Sequence, residues 1–301
     1  MTTPRKLVFL FFHYGKIPNY LLNAIEHVRI FNPDAEIWLT TETKIVASSR
    51  VQSCNVQLHV MSEFSTEELT QFKKSYVHIS CFKEKFERFV LERWFVAEVI
   101  RGSNPENIYI MLDSDVAVFG DVSKLLESLP DKPICLSGNN PHFTFIKGPI
   151  NDFLSYILKV YDDNESIKLR KSKHFGNMQT GQLYNFGEME LLFEYLAVQR
   201  DMENLVNDNK NGYIDCNIHI PENLDYIQLK RRPRKKVCWA LEFDLLIPYF
   251  IKNGIKKRAF IIHFQGPGKR LFFRFNQLNV RRTGLFQYFI NVVFSRKISN
   301  F

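Results

Sequence analysis

The stretch IYIMLDSDVAVF, residues 108–119, constrains the fold of this chain more than any other feature. Apolar residues lead into Asp113-Ser114-Asp115, and Val-Ala-Val-Phe follows. Two carboxylates so close in sequence repel each other, and burying them is costly unless a cation or hydrogen-bond donors compensate. The pair therefore lies at an exposed strand end, or other groups neutralise it.

The segments around this stretch alternate between strand and helix patterns. LVFLFF at 7–12 is a continuous apolar run, typical of a buried parallel strand. IPNYLLNAIEHVRIF follows with apolar residues at helical spacing, and AEIWLTT reads as a second strand. This order indicates an α/β sheet with right-handed crossovers. Because ligands bind beyond the carboxyl ends of strands in such sheets, the aspartates after strand 108–112 are expected to face a cleft.

The rest of the chain continues in the same manner. We predict a helical zone over about 64–101, a helix after Phe119 that Asp121 caps and Pro130 ends, and helices at 151–164 and 187–200. Short strands are expected at ICLSG and HFTFIKG, and a last strand at RAFIIHF. The Lys-, Ser-, Gly- and Asn-rich segment between the last two helices is predicted to be a loop over the site.

Charge and cysteine content narrow the functional classes. The net charge of +8 suits nucleic acid, an acidic membrane surface or phosphate-bearing ligands. The five cysteines are scattered without C-x-x-C spacing, which argues against a disulfide scaffold or a zinc site and favours a reducing compartment. No apolar run approaches the roughly 20 residues of a membrane span, and no cleavable signal is evident, so a soluble cytoplasmic protein is expected.

Two short motifs carry the chemistry. Carboxylates on either side of one small residue suit Mg²⁺ or Mn²⁺, whose remaining ligands are phosphate oxygens and water. In IIHFQGPGKR, His263 ends an apolar strand, Gly266 and Gly268 allow close backbone approach, and Lys269 supplies a cation for a diphosphate. A Walker P-loop is excluded because it would need glycine at His263. Alternatively, the first motif is a solvated strand end and the second a turn with a structural histidine.

Together the motifs resemble those of GT-A glycosyltransferases of the glycogenin and bacterial lipopolysaccharide galactosyltransferase type (family 8). The match is an apolar strand with D-x-D and a late His263-x-x-Gly266-x-x-Lys269, within a resemblance spread over about 5–275. The family's Pro-Trp after the lysine is Arg270-Leu271 here. The resemblance implies a Rossmann-like GT-A fold, which is a mixed, mainly parallel sheet flanked by helices. It also implies Mn²⁺ or Mg²⁺ bound by Asp113, Asp115 and His263, and transfer with retention.

Further site residues are expected by topology and resemblance. Asp113, Asp115, Gln179 and Glu188 are predicted as catalytic. The nucleoside is expected against His13, Tyr14 and Thr40 or Thr41. The donor sugar and diphosphate are expected at Arg88, Ser114, Gly266 and Lys269, and other sugar or acceptor contacts at Glu190, Asp215 and Asn217.

The sequence thus predicts a metal-dependent glycosyltransferase that moves a sugar from a nucleotide-diphosphate donor, UDP-linked, to a glycan or lipid-linked acceptor. Residues 1–275 would form the catalytic domain, with a nucleotide-sugar half at about 1–120 and an acceptor half at 121–275. A basic, aromatic helical extension would follow at 276–301.

The basic segment KRRPRKK (230–236) and the extension suit peripheral contact with an anionic membrane at its cytoplasmic face. Two alternatives stay open. One is a nucleic-acid-binding protein that uses the 230–236 segment, although no RNA-binding motif is visible. The other is a sugar nucleotidyltransferase, although FFHYGKIPN lacks its glycine- and arginine-rich loop.

Overall fold

The structure is a computed structural model that describes residues 5–138, 140–179, 186–199, 201–205, 208–209, 211–229, 233–242 and 245–272. The helices are α1 (Asn19–Phe31), α2 (Ser49–Ser53), α3 (Glu67–Ser75), α4 (Glu84–Ser103), α5 (Asn151–Asp162), α6 (Asn164–Gln179), α7 (Glu188–Val198) and α8 (Lys269–Phe272). The strands are β1 (Leu7–His13), β2 (Glu36–Thr41), β3 (Val56–Val60), β4 (Ile108–Leu112), β5 (Val116–Val118), β6 (Ile134–Ser137), β7 (Asn140–Ile146), β8 (Met202–Leu205), β9 (Asp208–Asn209), β10 (Gly212–Ile214), β11 (Tyr226–Gln228), β12 (Pro233–Lys235), β13 (Val237–Glu242), β14 (Leu245–Lys252) and β15 (Ile255–His263). Short 3₁₀ turns lie at Met61–Glu63, Val122–Ser128 and Gly266–Gly268.

Contacts divide the chain into two compact units. The first unit draws on segments 1–17, 34–114 and 123–206 and is built on a sheet in the order β3-β2-β1-β4-β7-β6-β8. Within it β3, β2, β1 and β4 pair in parallel, β7 is antiparallel to both its neighbours, and β6 and β8 are parallel. β4 is buried along its whole length, as expected for a central strand with both faces covered.

The helices of the first unit depart from the sequence prediction at two places. The helical zone predicted over 64–101 is two helices, α3 and α4, because Ile79 between them pairs with Phe186 as an isolated bridge, with Phe186 N donating to Ile79 O at 2.8 Å. The predicted loop before α7 is largely the helix α6. Its first turn is capped by Asp163 Oδ1, which accepts from the backbone N–H groups of Glu165 and Ser166 at 3.0 and 3.1 Å.

The segment after Phe119 is a 3₁₀ turn, Val122–Ser128, rather than the predicted α-helix. Val122 and Leu125 are both buried, and residues three apart lie on the same side of a 3₁₀ helix. The backbone N–H of Val122 also donates to Asn32 Oδ1 at 2.8 Å, which fixes the start of the turn.

The second unit draws on 18–33, 115–122 and 207–301 and contains the smaller sheet β13-β14-β15-β10-β9, with β5 paired to β15. The β14–β15 hairpin turns at Asn253-Gly254, where both residues have positive φ (52° and 78°). Asn-Gly is a strong sequence signal for such a turn. The hairpin could therefore have been predicted from the sequence, but the sequence analysis missed it. His27 of α1 packs edge-on against Phe119 and Phe272 of the same unit, at 4.8 and 5.6 Å between ring centroids.

The predicted fold class, an α/β protein with a mainly parallel sheet flanked by helices, is confirmed. The predicted extension at 276–301 lies outside the described residues. Within the described residues, no helix combines the length and the apolar character that a membrane crossing requires.

Candidate functional site

In the second unit, strand pairing brings the second aspartate of the first motif to the histidine of the second motif. β5 pairs antiparallel with β15, and Val116 lies opposite His263, so Asp115 just before β5 reaches the histidine ring. His263 Nε2 lies 3.4 Å from Asp115 Oδ1, and Lys269 Nζ lies 3.2 Å from Asp115 Oδ2. Both Asp115 and His263 are buried. Three of the predicted residues therefore form one cluster.

Opposing effects act on the Asp115 carboxyl. Burial alone would raise its pKa, but His263 and Lys269 outweigh burial and hold the pKa well below its usual range. Lys269 is oriented by Tyr20 of α1, since its ammonium lies over the tyrosine ring at 4.8 Å from the centroid. Asp115 is thus a buried carboxylate that stays ionised.

The tautomer of His263 bears on whether these residues fit a metal ion. His263 Nδ1 lies 2.7 Å from the carbonyl oxygen of Cys216. Because a carbonyl can only accept, Nδ1 carries a proton. Nε2 faces Asp115, so it donates to that carboxylate when the ring is protonated and offers a lone pair to a cation when the ring is neutral. Metal-bound histidines are held in this way by a carbonyl on their second nitrogen. An imidazole lone pair beside an ionised carboxylate fits a divalent cation such as Mn²⁺.

The glycine turn follows directly on the histidine. Gly266 has φ of +57°, a left-handed conformation that favours glycine, and it begins the 3₁₀ turn Gly266–Gly268. A Cβ on Gly268 would lie 3.1 Å from the Ile218 side chain, so that position is closely packed. The turn carries the chain into α8, which begins at Lys269.

In the first unit, Asp113 belongs to a buried ionic cluster. Arg93 of α4 donates from Nη1 to Asp113 Oδ1 at 2.7 Å, and from Nε and Nη2 to the two carboxylate oxygens of Glu188 at 2.9 and 2.8 Å. Trp94 Nε1 also donates to Glu188 Oε1 at 2.5 Å. Arg93 therefore joins the first aspartate of the motif to a residue predicted as catalytic. The sequence analysis missed Arg93 because a buried arginine inside an apolar stripe carries no motif of its own.

Burial and pairing shift the pKa values of this cluster. Burial alone would lower the pKa of Arg93, but Glu188 and Asp113 outweigh it and raise that pKa. Burial raises the pKa of Glu188, and Arg93 opposes the rise. Nearby Glu87 has a pKa raised to about 7, mainly by burial and then by the charge of Glu188. Arg93 is thus the positive charge that opposes the effect of burial on the pKa of Glu188.

The residues predicted to contact the nucleoside have different surroundings. His13 uses both ring nitrogens inside the protein, since Nδ1 lies 2.9 Å from Ser114 Oγ and Nε2 lies 3.0 Å from Lys16 O. Thr40 is buried on β2. Tyr14 is only partly buried and lies edge-on to Phe86 and Phe89, at 6.2 and 5.7 Å between centroids.

The remaining predicted residues occupy separate positions. Arg88 pairs through Nε with Glu92 at 3.1 Å, one turn along α4. Gln179 is exposed at the last residue of α6. Glu190 accepts at 3.1 Å from the backbone N–H of Gly187 at the start of α7, which is a helix-capping contact. Asp215 is completely buried, and Asn217 Nδ2 donates to Gln265 Oε1.

The basic segment 230–236, predicted to contact an anionic membrane or nucleic acid, includes a buried residue. Lys235 is fully buried and pairs with Asp215 Oδ1 at 2.5 Å and Glu222 Oε2 at 2.6 Å. Residues 230–232 lie outside the described part of the chain. Lys235 therefore balances internal charge and is removed from any cationic surface.

No protein-family model and no curated protein sequence matches this chain. Similar solved structures include an active-site mutant of the galactosyltransferase LgtC, at 12% identity over 89% of this chain and 94% of that chain, with a TM-score of 0.46. A glycosyltransferase involved in glycosylation of the major capsid of PBCV-1 matches at 13% over 89% of this chain and 96% of its own, with a TM-score of 0.41.

The glycosyltransferase GlyE of Streptococcus pneumoniae TIGR4 matches at 13% identity over 69% of this chain, with a TM-score of 0.34. This chain spans only 47% of the length of GlyE. All three of these structures are described as glycosyltransferases. Because every one of these TM-scores is below 0.5, the functional proposal rests on the residues of the site.

Proposed function

We propose that this protein is a metal-dependent glycosyltransferase that transfers a sugar from a nucleotide-diphosphate donor to a glycan or lipid-linked acceptor. The observation that carries the proposal is the Asp115 carboxylate with His263 Nε2 at 3.4 Å and Lys269 Nζ at 3.2 Å. An ionised carboxylate, an imidazole nitrogen and a lysine side chain that is 37% exposed suit a cation and the diphosphate it binds.

Asp113, Asp115 and His263 are the proposed ligands of Mn²⁺ or Mg²⁺, as the resemblance of the two motifs implies. The cation, when bound, would neutralise the diphosphate and stabilise it as a leaving group. Asp113 is held by Arg93 and Asp115 by the β5–β15 pairing, so each carboxylate is fixed before any ligand arrives. This pre-organisation lowers the entropic cost of binding.

Lys269 and the glycine turn are proposed to bind the diphosphate. A lysine ammonium is a compact charge, and it stabilises the negative charge that develops as the glycosidic bond breaks. The left-handed Gly266 lacks a side chain that would keep a phosphate away from the backbone. Tyr14, partly buried and aromatic, remains the proposed surface for the base, and Ser114, Arg88 and Thr40 remain proposed donor contacts.

We assign donor-sugar recognition first to Arg93, with Glu188 as its partner. Their contacts leave Glu188 little freedom, since both its oxygens accept from Arg93 and one also accepts from Trp94. We therefore propose that Glu188 acts by orienting Arg93 and the donor sugar. Gln179 remains a proposed catalytic residue on the acceptor side. A uridine nucleotide and retention at the anomeric carbon are the choices that the resemblance implies.

The test is calorimetric titration of UDP with and without Mn²⁺. We expect binding that needs the metal in the wild type and is lost in Asp115→Asn, which keeps the side-chain volume and removes the charge. Lys269→Gln should weaken UDP binding while Mn²⁺ alone still binds. Asp131→Asn, at an exposed carboxylate, is the matched control and should bind as the wild type.

Three outcomes would contradict the proposal. UDP binding that depends on neither Mn²⁺ nor Asp115 would leave the aspartate pair with a structural role only. A nucleotidyltransferase would consume pyrophosphate together with the nucleotide sugar, whereas a glycosyltransferase would release UDP. Consumption of pyrophosphate would therefore contradict the proposal. Retention on nucleic acid that survives Asp113→Ala would favour the nucleic-acid alternative.

A further inference from the structure

The segment 215–218, just after β10, runs along the end of β15 and contacts His263 at several atoms. Asp215 Oδ2 accepts from the backbone N–H of His263 at 3.1 Å. The next residue, Cys216, accepts from the His263 ring at 2.7 Å, and Ile218 N donates to His263 O at 3.2 Å. Both the backbone and the imidazole of His263 are therefore held by one short segment.

A buried ion pair anchors this segment. Lys235 Nζ contacts Asp215 Oδ1 at 2.5 Å, and both side chains are fully buried. The backbone N–H of Lys235 also donates to Ile218 O at 2.9 Å, so Lys235 is bound to both ends of the segment. Glu222 contacts the same ammonium at 2.6 Å without being part of the segment.

The buried Lys235–Asp215 ion pair is not well explained by a contribution to folding stability. Desolvating two charges often costs more than their attraction returns, and well-packed apolar residues frequently replace buried pairs without loss. A buried pair does impose a defined geometry, because each charge must keep its partner. Here the pair fixes two atoms that contact His263. One is Asp215 Oδ2, which accepts from the His263 backbone N–H, and the other is the carbonyl oxygen of the next residue, Cys216.

We propose that Lys235 and Asp215 are positioning residues for His263. They hold the carbonyl of Cys216 where it keeps a proton on Nδ1, and thereby direct Nε2 towards Asp115. The use of Nε2 as a metal ligand rests on the proposed function, whereas the protonation of Nδ1 does not. Lys235 acts through Asp215 and touches neither the cation nor the substrate in this scheme.

The experiment uses the full-length protein labelled with ¹⁵N-histidine. Long-range ¹H–¹⁵N correlation spectra of the metal-free protein report which ring nitrogen of each of the eight histidines carries the proton. A His263→Asn sample assigns the signal. We expect the wild type to carry a proton on Nδ1 of His263, in the neutral or in the doubly protonated ring. A wild type whose Nδ1 carries no proton would overturn the proposal without any further variant.

Asp215→Asn is the main variant, because it keeps an acceptor for the His263 N–H and removes the charge that faces Lys235. We expect its His263 ring to populate both tautomers, and Mn²⁺ to bind about 10–100-fold more weakly, the usual effect of losing a group that orients a metal ligand. Glu222→Gln is the matched control, since it perturbs the same lysine and leaves Asp215 in place. Its His263 signals should match the wild type.

The outcomes separate this inference from the proposed function. If the wild type binds no Mn²⁺, the proposed function fails, and the ring signals still decide the tautomer. If Asp215→Asn keeps the wild-type ring signals and Mn²⁺ affinity, the positioning role is wrong. Equal changes in Asp215→Asn and Glu222→Gln would show a general loss of packing and would also overturn it.

Discussion

Replacing Arg93 with methionine tests whether the Arg93–Glu188–Asp113 cluster depends on its central charge. The substitution keeps much of the apolar volume and removes three charge-assisted hydrogen bonds of 2.7–2.9 Å. Hydrogen bonds to charged groups contribute about 1.5–3 kcal/mol each, but the variant no longer has to desolvate the guanidinium. Measured losses for a broken buried pair are about 3–5 kcal/mol, and we expect Arg93→Met to fall in that range.

The assay is urea unfolding followed by circular dichroism at pH 7.5, with Arg88→Met as the matched control. Arg88 lies on the same helix but is partly exposed, with 39% of its side chain accessible, so its pairing with Glu92 should contribute under about 1 kcal/mol. Adding Glu188→Gln to Arg93→Met removes the uncompensated buried carboxylate and should restore about 1–3 kcal/mol. In the wild-type background the same Glu188→Gln change should destabilise.

The pH dependence follows from the same cluster. Without Arg93, only the hydrogen bond from Trp94 opposes the effect of burial, and the pKa of Glu188 rises further. A carboxyl whose pKa is raised on folding destabilises the native state above the pKa of the unfolded chain, so the deficit of Arg93→Met should shrink as the pH falls towards about 4.5. Equal losses for the two arginine variants, or no recovery with Glu188→Gln, would refute the reasoning.

Three further predictions concern other parts of the chain. A Cβ on Gly120 would lie 2.4 Å from the ring of buried Phe260, so Gly120→Ala should cost about 1–3 kcal/mol in urea unfolding, and adding Phe260→Leu should recover part of it. Because the pKa of Glu87 is raised to about 7 on folding, stability should fall as the pH rises from about 4.5 to 7, and Glu87→Gln should flatten this dependence by on the order of 1–3 kcal/mol. The exposed Cys81 should react with a thiol reagent in the native protein, whereas Cys135, buried and with a pKa raised to about 11, should react only on unfolding; native reactivity at Cys135 would contradict this.

Local patterns predicted five of the seven strands in the sheet of the first unit, and they missed β3 and β8. The strand Ile108–Leu112 was found at its observed bounds, because an apolar run that ends in charged residues has few other conformations. The two motifs also predicted the Asp115–His263–Lys269 cluster, since both follow apolar strands and polar groups collect at strand ends. In these places the local sequence and the fold agree.

Contacts between residues distant in sequence were beyond the reach of such patterns. Arg88 and Arg93 lie on the same helix and look alike in sequence, yet only the packing of α4 decides that Arg93 meets Asp113 and Glu188. Lys235 lies in a run of basic residues that predicts a solvated surface, and strand β12 instead buries it against Asp215. The sequence by itself determined the α/β order, the two motifs and the chemistry they suit. The tertiary structure alone decided which charges pair and which nitrogen of His263 faces Asp115, because those depend on the alignment of strands and helices that are far apart along the chain.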